Sequence, residues 1–513
     1  MASLNVPSDI WIYISQFIPT KALRNLYSVN RVFLHLALNE RYKEISFLQV
    51  NQKTLKVLEH LRDPNISSRV RRVRVNPLWF NLPPAPTKSK CSLRSIILRY
   101  SPFDLGRSAD TSIRDNRFHR QRINILTTEI VLSFTNVTSF AIVTRYFPHP
   151  EAFHPFLSNA WHTFGSNLQR LTINGPLRGF DAFLPSPGDL KSLEDLTLRF
   201  STDLLSDESA DVEWLFEIVS PFLRELSSRL RKLNIMSSAL GDHSSLFHAL
   251  HDTSNLVSLS LDIGFYPQLL LDPSGLTHLL RRNVGILKHV KFQPHQTFRS
   301  LPIPGHAHDH FSRWMNANLS DELLLSDLET FVVAPLADLT IPLSMGFDAT
   351  SPYITRSKDT LTNLILGEHC LSFDELALLA STFAHRPAHS GLKTLYVKAL
   401  SLNPQLFDLL ANQLIGLNDL DIKFNRLIAD VKDESSIPFE DQEPTEQMID
   451  EFLGEMAKRV YENWMLYSLW IWQRSHMTTK TAHDILTALK PSIPSVRIVY
   501  RMDHIHPLNG IFL

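Results

Sequence analysis

The sequence predicts an α/β chain: a short three-helix unit, then an irregular solenoid of strand–helix repeats with a curved parallel sheet and helices outside it. Two observations carry that prediction. One is a phrase of three apolar residues, separated by two positions and then by one, which returns along most of the chain at intervals of about 23 to 49 residues. The other is a dense apolar series at helical spacing between Leu4 and Phe47, interrupted by Pro19 and Asn30. With 513 residues, 44% of them apolar, the chain has material for about three ordinary domains or one extended array.

The N-terminal series has a chemical cause at each break. Pro7 suits a first helical position, where its missing N–H would have had no intrahelical partner, and Asp9 then faces the positive end of the helix. Ile10, Trp11, Ile14, Phe17 and Ile18 recur at three- and four-residue steps and form one apolar stripe. Pro19 stops that helix by pushing the preceding residue out of the α region, and Thr20 and Asn30 are caps for the two that follow. A unit of roughly forty residues buries too little surface to be stable alone, so its apolar face is expected to cover something else.

A connecting helix follows at Lys53 to Leu61, after which the phrase begins. It reads at Val70-Val73-Val75, Leu93-Ile96-Leu98, Val137-Phe140-Ile142, Leu168-Leu171-Ile173 and Leu193-Leu196-Leu198. It continues from Leu230-Leu233-Ile235 through Leu361-Leu364-Leu366 and Leu417-Leu420-Ile422 to Leu466-Leu469-Ile471 and Ile493-Val496-Ile498. The last two members of each phrase alternate on a short strand and point to one face, while the first anchors its approach. Amphipathic helices fit between phrases, as at Val212 to Leu226, Phe373 to Phe383 and Glu446 to Asn463. So short a phrase also arises by chance, and a mixed α/β protein with unrelated strands competes. Rhythm together with the polar pairs Gln169-Arg170, Glu194-Asp195, Arg231-Lys232 and Asn418-Asp419 favours an array. The pattern resembles degenerate leucine-rich repeats, whose closing Asn is echoed only at Asn174 and Asn425.

The N-terminal residues Pro7-x-Asp9-Ile10-Trp11, Ile14, Phe17, Leu23, Leu26, Val29-Asn30-Arg31, Phe33 and Leu36-Ala37 resemble an F-box, with Val6 where that family usually has Leu. The resemblance implies docking onto a Skp-type adaptor, and through it a cullin-based ubiquitin ligase, by way of Pro7, Ile10, Ile14, Leu23, Leu26 and Val29. It implies three regions: an F-box-like docking domain over 1–47, a connecting helix over 48–66, and a repeat domain over 67–513 with insertions at about 103–122 and 430–446. Many proteins of this family carry leucine-rich repeats behind the docking segment, so the resemblance implies a non-catalytic substrate receptor. A repeat scaffold or sensor that uses the helical unit only to fold is the alternative.

Composition narrows the remaining classes. A net charge of −1 gives no electrostatic case for nucleic acid or an anionic membrane, and the most apolar run, Met465 to Trp472, is too short to span a bilayer. Two cysteines, Cys91 and Cys370, and no basic start followed by an apolar signal core lead to the expectation of a reducing compartment, cytoplasmic or nuclear. No phosphate loop, dinucleotide fingerprint or nucleophile elbow is present, so no catalytic residue and no cofactor is assigned. His306, His308 and His310 with Asp309 offer metal-type side chains, as do His248 and His251, but in a Pro-rich surrounding without a supporting shell; no metal is assigned. Asp104 to Arg122 reads as a basic excursion, expected to be solvated, with recognition of an acidic or phosphorylated substrate as the alternative, and Asp430 to Glu446 reads as an acidic linker. Arg69 to Val75 alternates Arg and Val as a half-buried strand requires, leaving a basic rim. Trp464, Trp470 and Trp472 are expected to cover a late repeat, with a partner anchor as the alternative.

Overall fold

The computed structural model describes residues 6–48, 52–80, 124–144, 150–201, 208–239, 241–294, 307–333, 347–436 apart from 385, 388 and 389, 444–473, and 485–499 apart from 486 and 488. The phrase at Leu93-Ile96-Leu98, the basic stretch Arg107 to Arg122 and the middle of the acidic segment lie outside the described residues. The chain forms two compact units, residues 1–229 and 230–513.

The first unit carries β1 (Glu44–Phe47), β2 (Arg72–Val75), β3 (Ser139–Val143), β4 (Arg170–Pro176) and β5 (Asp195–Ser201), each parallel to the next in chain order. The second carries β6 (Lys232–Ser237), β7 (Ser258–Asp262), β8 (His289–Phe292), β9 (Thr330–Val333), β10 (Asn363–Leu371), β11 (Thr394–Leu402), β12 (Asp419–Leu427), β13 (Ser468–Gln473) and β14 (Ile498–Val499), again parallel in chain order. Helices occupy the crossovers, as parallel neighbours require. Each unit is therefore a strand–helix solenoid of the leucine-rich-repeat kind.

Register makes the apolar phrase a ladder. Val73, Phe140, Leu171 and Leu196 are partners across one unit; Leu233, Leu259, Val290, Phe331, Leu364, Leu395, Leu420 and Leu469 are partners across the other. All are at most 1% exposed, as are the anchors Leu168, Leu193, Leu230, Leu256, Leu361 and Leu417. Each such side chain contributes about 1.5–3 kcal/mol on burial, while ordering one residue of backbone costs about 1–2 kcal/mol. A repeat alone runs a deficit, and stacking on its neighbours removes it.

The polar pairs at the strand entries have a specific use. At the entries to β2–β5 and β7–β13 the two consecutive N–H groups converge on one carbonyl of the preceding repeat: Gln169 and Arg170 on Thr138, Glu194 and Asp195 on Gln169, Asn418 and Asp419 on Lys393, at 2.9–3.0 Å. The same bond pair recurs from Arg71 and Arg72 on Lys43 to Tyr467 and Ser468 on Asn418. Side chains at these positions point away from the core, which is why polar residues are tolerated there.

The structure departs from the sequence reading in several places. The ladder starts at β1, whose anchor phrase is Tyr42-Ile45-Phe47, all buried; an aromatic at the end of a helix hid it. At the other end Leu469 pairs with Val499, so the anchor equivalent to Leu466 is Val496. Ile493-Val496-Ile498 is thus one phrase step out of register, because Ile493 and Val496 repeat the same spacing. The helix expected over Glu446 to Asn463 runs only Glu446–Met456. Phe452 and Met456 are buried, but Val460 is 62% exposed, because the chain turns after Met456 to place Arg459 on Asp408 and Glu455. The acidic segment is anchored where described, with Glu434 accepting from Ser401 Oγ at 2.5 Å and Phe373 N at 3.1 Å. Asn425 is buried, and its Nδ2 donates to Cys370 Sγ at 3.2 Å.

Candidate docking surface

Three helices stand at the start of the first unit: α1 (Ser8–Ser15), α2 (Thr20–Leu23) and α3 (Arg31–Tyr42). Pro7 is the N-cap of α1 with an extended ψ of 149°, one position earlier than its helical φ suggests, and Asp9 occupies the first turn. Thr20 opens α2 as a helical residue rather than capping it. Asn30 caps α3, accepting from Phe33 N at 2.9 Å. This removes one unsatisfied donor at the helix start.

α3 organises the unit. Phe33 and Ala37 are buried, and Trp11 meets Phe33 edge-on with centroids 5.5 Å apart. At its end, buried Tyr42 bonds His60 Nδ1 at 3.2 Å, and Lys43 leads straight into β1. Arg69, ahead of β2, bonds the His35 carbonyl at 3.2 Å and the side chain of Asn39. The helices are thus held on the first rungs of the ladder without a linker.

α1 contains no buried residue despite its apolar sequence SDIWIYIS. The single stripe expected from its periodicity divides. Trp11 turns to Phe33, while Ile10 is 46%, Ile14 37% and Phe17 70% exposed, with Tyr13 edge-on to Phe17 at 5.1 Å. Pro7 is exposed, and so are Tyr27 and Val29 after α2. Of the six residues carried over from the F-box resemblance, Pro7, Ile10, Ile14 and Val29 are open to solvent, Leu26 is half-buried, and Leu23 is 8% exposed within the unit. Scattered apolar residues on a surface are ordinary; here Pro7, Ile10, Tyr13, Ile14, Phe17, Tyr27 and Val29 are all exposed within one short segment.

The other candidate residues are separately placed. His306 lies outside the described residues; His310 lies in the helix Ala307–Ala317, its ring 5.8 Å from that of Tyr266 and its Nδ1 2.9 Å from Arg313 Nη2. His248 bonds Asp272 at 2.8 Å; hydrogen bonds from Ser274, and after them the contact with His248, hold the Asp272 carboxyl below its usual range. Among the described residues, no three His, Cys, Asp or Glu side chains are grouped to hold a metal ion, and no helix is long and apolar enough to cross a membrane. Trp464 is buried, donating to the Leu414 carbonyl at 3.1 Å. Trp470 and Trp472 are half-buried on β13. Trp472 donates to Asp421 Oδ1 at 2.9 Å, and Lys423 Nζ lies 3.9 Å from its ring centroid. On the same face, burial holds the Tyr396 phenol far above its ordinary range.

No protein-family model matches the chain, and no curated protein matches it in sequence. Among solved structures it is similar to a chain described as "Crystal structure of Rad7 and Elc1 complex in yeast". The identity is 12% and the TM-score 0.38, over 98% of this chain and 94% of that chain.

Proposed function

We propose that this chain is the substrate-recognition subunit of a Skp-cullin-F-box type ubiquitin ligase. Residues 1–47 dock a Skp-type adaptor, residues 48–66 connect, and the repeats over 67–513 hold a protein substrate. The observation that carries this reading is the apolar face left open on α1 and around Val29, at positions the F-box resemblance assigns to the adaptor. The chain itself performs no chemistry. It holds a target beside partner subunits that do, converting a bimolecular encounter into an effectively intramolecular one. Its working compartment is cytoplasmic or nuclear.

The test is co-purification of a Skp-type adaptor with the full chain and with a Pro7→Ala, Ile10→Ser double variant. Capture by the parent and loss in the variant supports the reading; equal capture removes it. A second reading is favoured by buried Leu23 and by the direct passage of α3 into β1: the helical unit closes the end of the ladder and serves folding alone. Under that reading the adaptor never binds, and deletion of residues 1–47 yields an aggregating protein.

A further inference from the structure

Taking the receptor reading as its premise, we propose that the outward strand face of the first unit docks an extended protein segment carrying Asp or Glu at every third residue. Two rows of side chains on this face run across all five strands. Glu44, Arg72, Ser139, Arg170 and Asp195 are register partners across β1 to β5, and Ser46, Arg74, Ala141, Thr172 and Thr197 form the next row. The alternate residues, Ile45, Val73, Phe140, Leu171 and Leu196, are in the core, so these two rows leave the opposite face.

The floor over β3 is low, because Ser139 and Ala141 are small. Arginines flank it, Arg72 and Arg74 on one side and Arg170 on the other. The two rows hold three arginines against two carboxylates, a local positive excess on a chain whose net charge is −1. The carboxylate of Glu44 lies 4.0 Å from the Arg72 guanidinium and 3.8 Å from that of Arg74, so one acid is shared between two bases that remain about half exposed. A second carboxylate completes that balance, and guanidinium groups bind carboxylates through paired, charge-assisted hydrogen bonds.

Spacing selects the pattern. Neighbouring strands lie about 4.8 Å apart, so Arg72 and Arg170, two strands apart on one row, are separated by about 10 Å at the backbone. A segment crossing the strands in the extended polyproline II form advances about 3.1 Å per residue with three residues per turn, so every third side chain faces the sheet and three residues cover that distance. Neither row carries an aromatic side chain on which a base would stack, which favours a protein segment over a single-stranded nucleic acid.

Fluorescence anisotropy with the full-length protein tests this. The probes are a short fluorescein-labelled peptide with Glu at every third position, its Gln counterpart, and a single-stranded oligonucleotide. The Glu peptide is expected to bind and the Gln peptide not, with binding weakened by added salt. Combined Arg72→Gln, Arg74→Gln and Arg170→Gln substitution should weaken it about tenfold or more, while Lys458→Gln in the second unit leaves it unchanged. Arg170→Gln alone, on an exposed residue, carries the test should the triple variant melt at a lower temperature. Equal binding of the Glu and Gln peptides, unchanged affinity in the arginine variants, or preferential binding of the oligonucleotide overturns the proposal. Adaptor binding measured on the same samples separates the two readings: loss of the peptide with the adaptor retained removes only the docking strip, and the converse removes only the ligase assignment.

Discussion

On the receptor reading, truncating the open apolar face should weaken docking about a hundredfold without touching the fold. Ile10, Ile14 and Val29 retain 46%, 37% and 54% of their surfaces exposed, so about half of each side chain is available for burial under the receptor reading. Substitution by Ala removes three carbons from each Ile and two from Val, at about 0.8 kcal/mol per fully buried carbon. Halved for the part already covered, the combined loss is about 3 kcal/mol, or about a hundredfold in Kd. Ala retains helix propensity in α1, so thermal unfolding should be nearly unchanged. Leu23→Ala is the opposite control: with the side chain 8% exposed, it should cost about 2–4 kcal/mol of folding stability. The assay is calorimetric titration with a purified Skp-type adaptor beside thermal unfolding of each variant. An unchanged Kd in the triple variant, or a melting temperature as low as that of Leu23→Ala, would refute the reasoning, because either result means that these side chains serve the fold and not a partner.

Two further outcomes follow from buried polar groups. Asn283 is buried; its Oδ1 accepts from Leu256 N at 3.0 Å and its Nδ2 donates to the carbonyls of Thr253 and Leu279 at 3.2 and 2.8 Å. Asn283→Ala strands three backbone groups and should cost at least about 3 kcal/mol in urea unfolding, and a loss under about 1 kcal/mol contradicts the assignment. Tyr353 is buried with its hydroxyl donating to the Met315 carbonyl at 2.7 Å, and burial pushes its pKa up to about 12. Since the folded value exceeds the unfolded one of about 10, its contribution is complete below pH 10 and is lost as pH rises toward 12. Tyr353→Phe should destabilise by about 1–3 kcal/mol at neutral pH and flatten that alkaline decline; an unaltered alkaline slope places its cause elsewhere.

The repeat phrase was legible because its physics is local. Alternation along a strand puts the second and third apolar residues on one face whatever lies beyond them, so twelve phrases from Val70 to Leu466 coincide with described strands. Where the phrase misled, the ambiguity was also local. Ile493 and Val496 mimic its spacing, and only pairing of Leu469 with Val499 selects the register. Tyr42 belongs to α3 and anchors β1 at once, which a reading of one element at a time divides in two. The Arg–Val alternation from Arg69 to Val75 identified a charged outward face, yet the proximity of Arg72 and Arg74 to Glu44 joins residues nearly thirty positions apart.

The sequence by itself determined which strand residues face inward, the Asn30 cap and the order of strand and helix. These follow from backbone periodicity and from side-chain reach within a few residues. Tertiary structure decided what covers each face. It turned Leu23 and Trp11 toward the unit, left Ile10, Ile14, Phe17 and Val29 open, and aligned Arg72, Ser139 and Arg170 in one row. Burial is a property of the neighbours that pack against a face, and those neighbours come from distant parts of the chain.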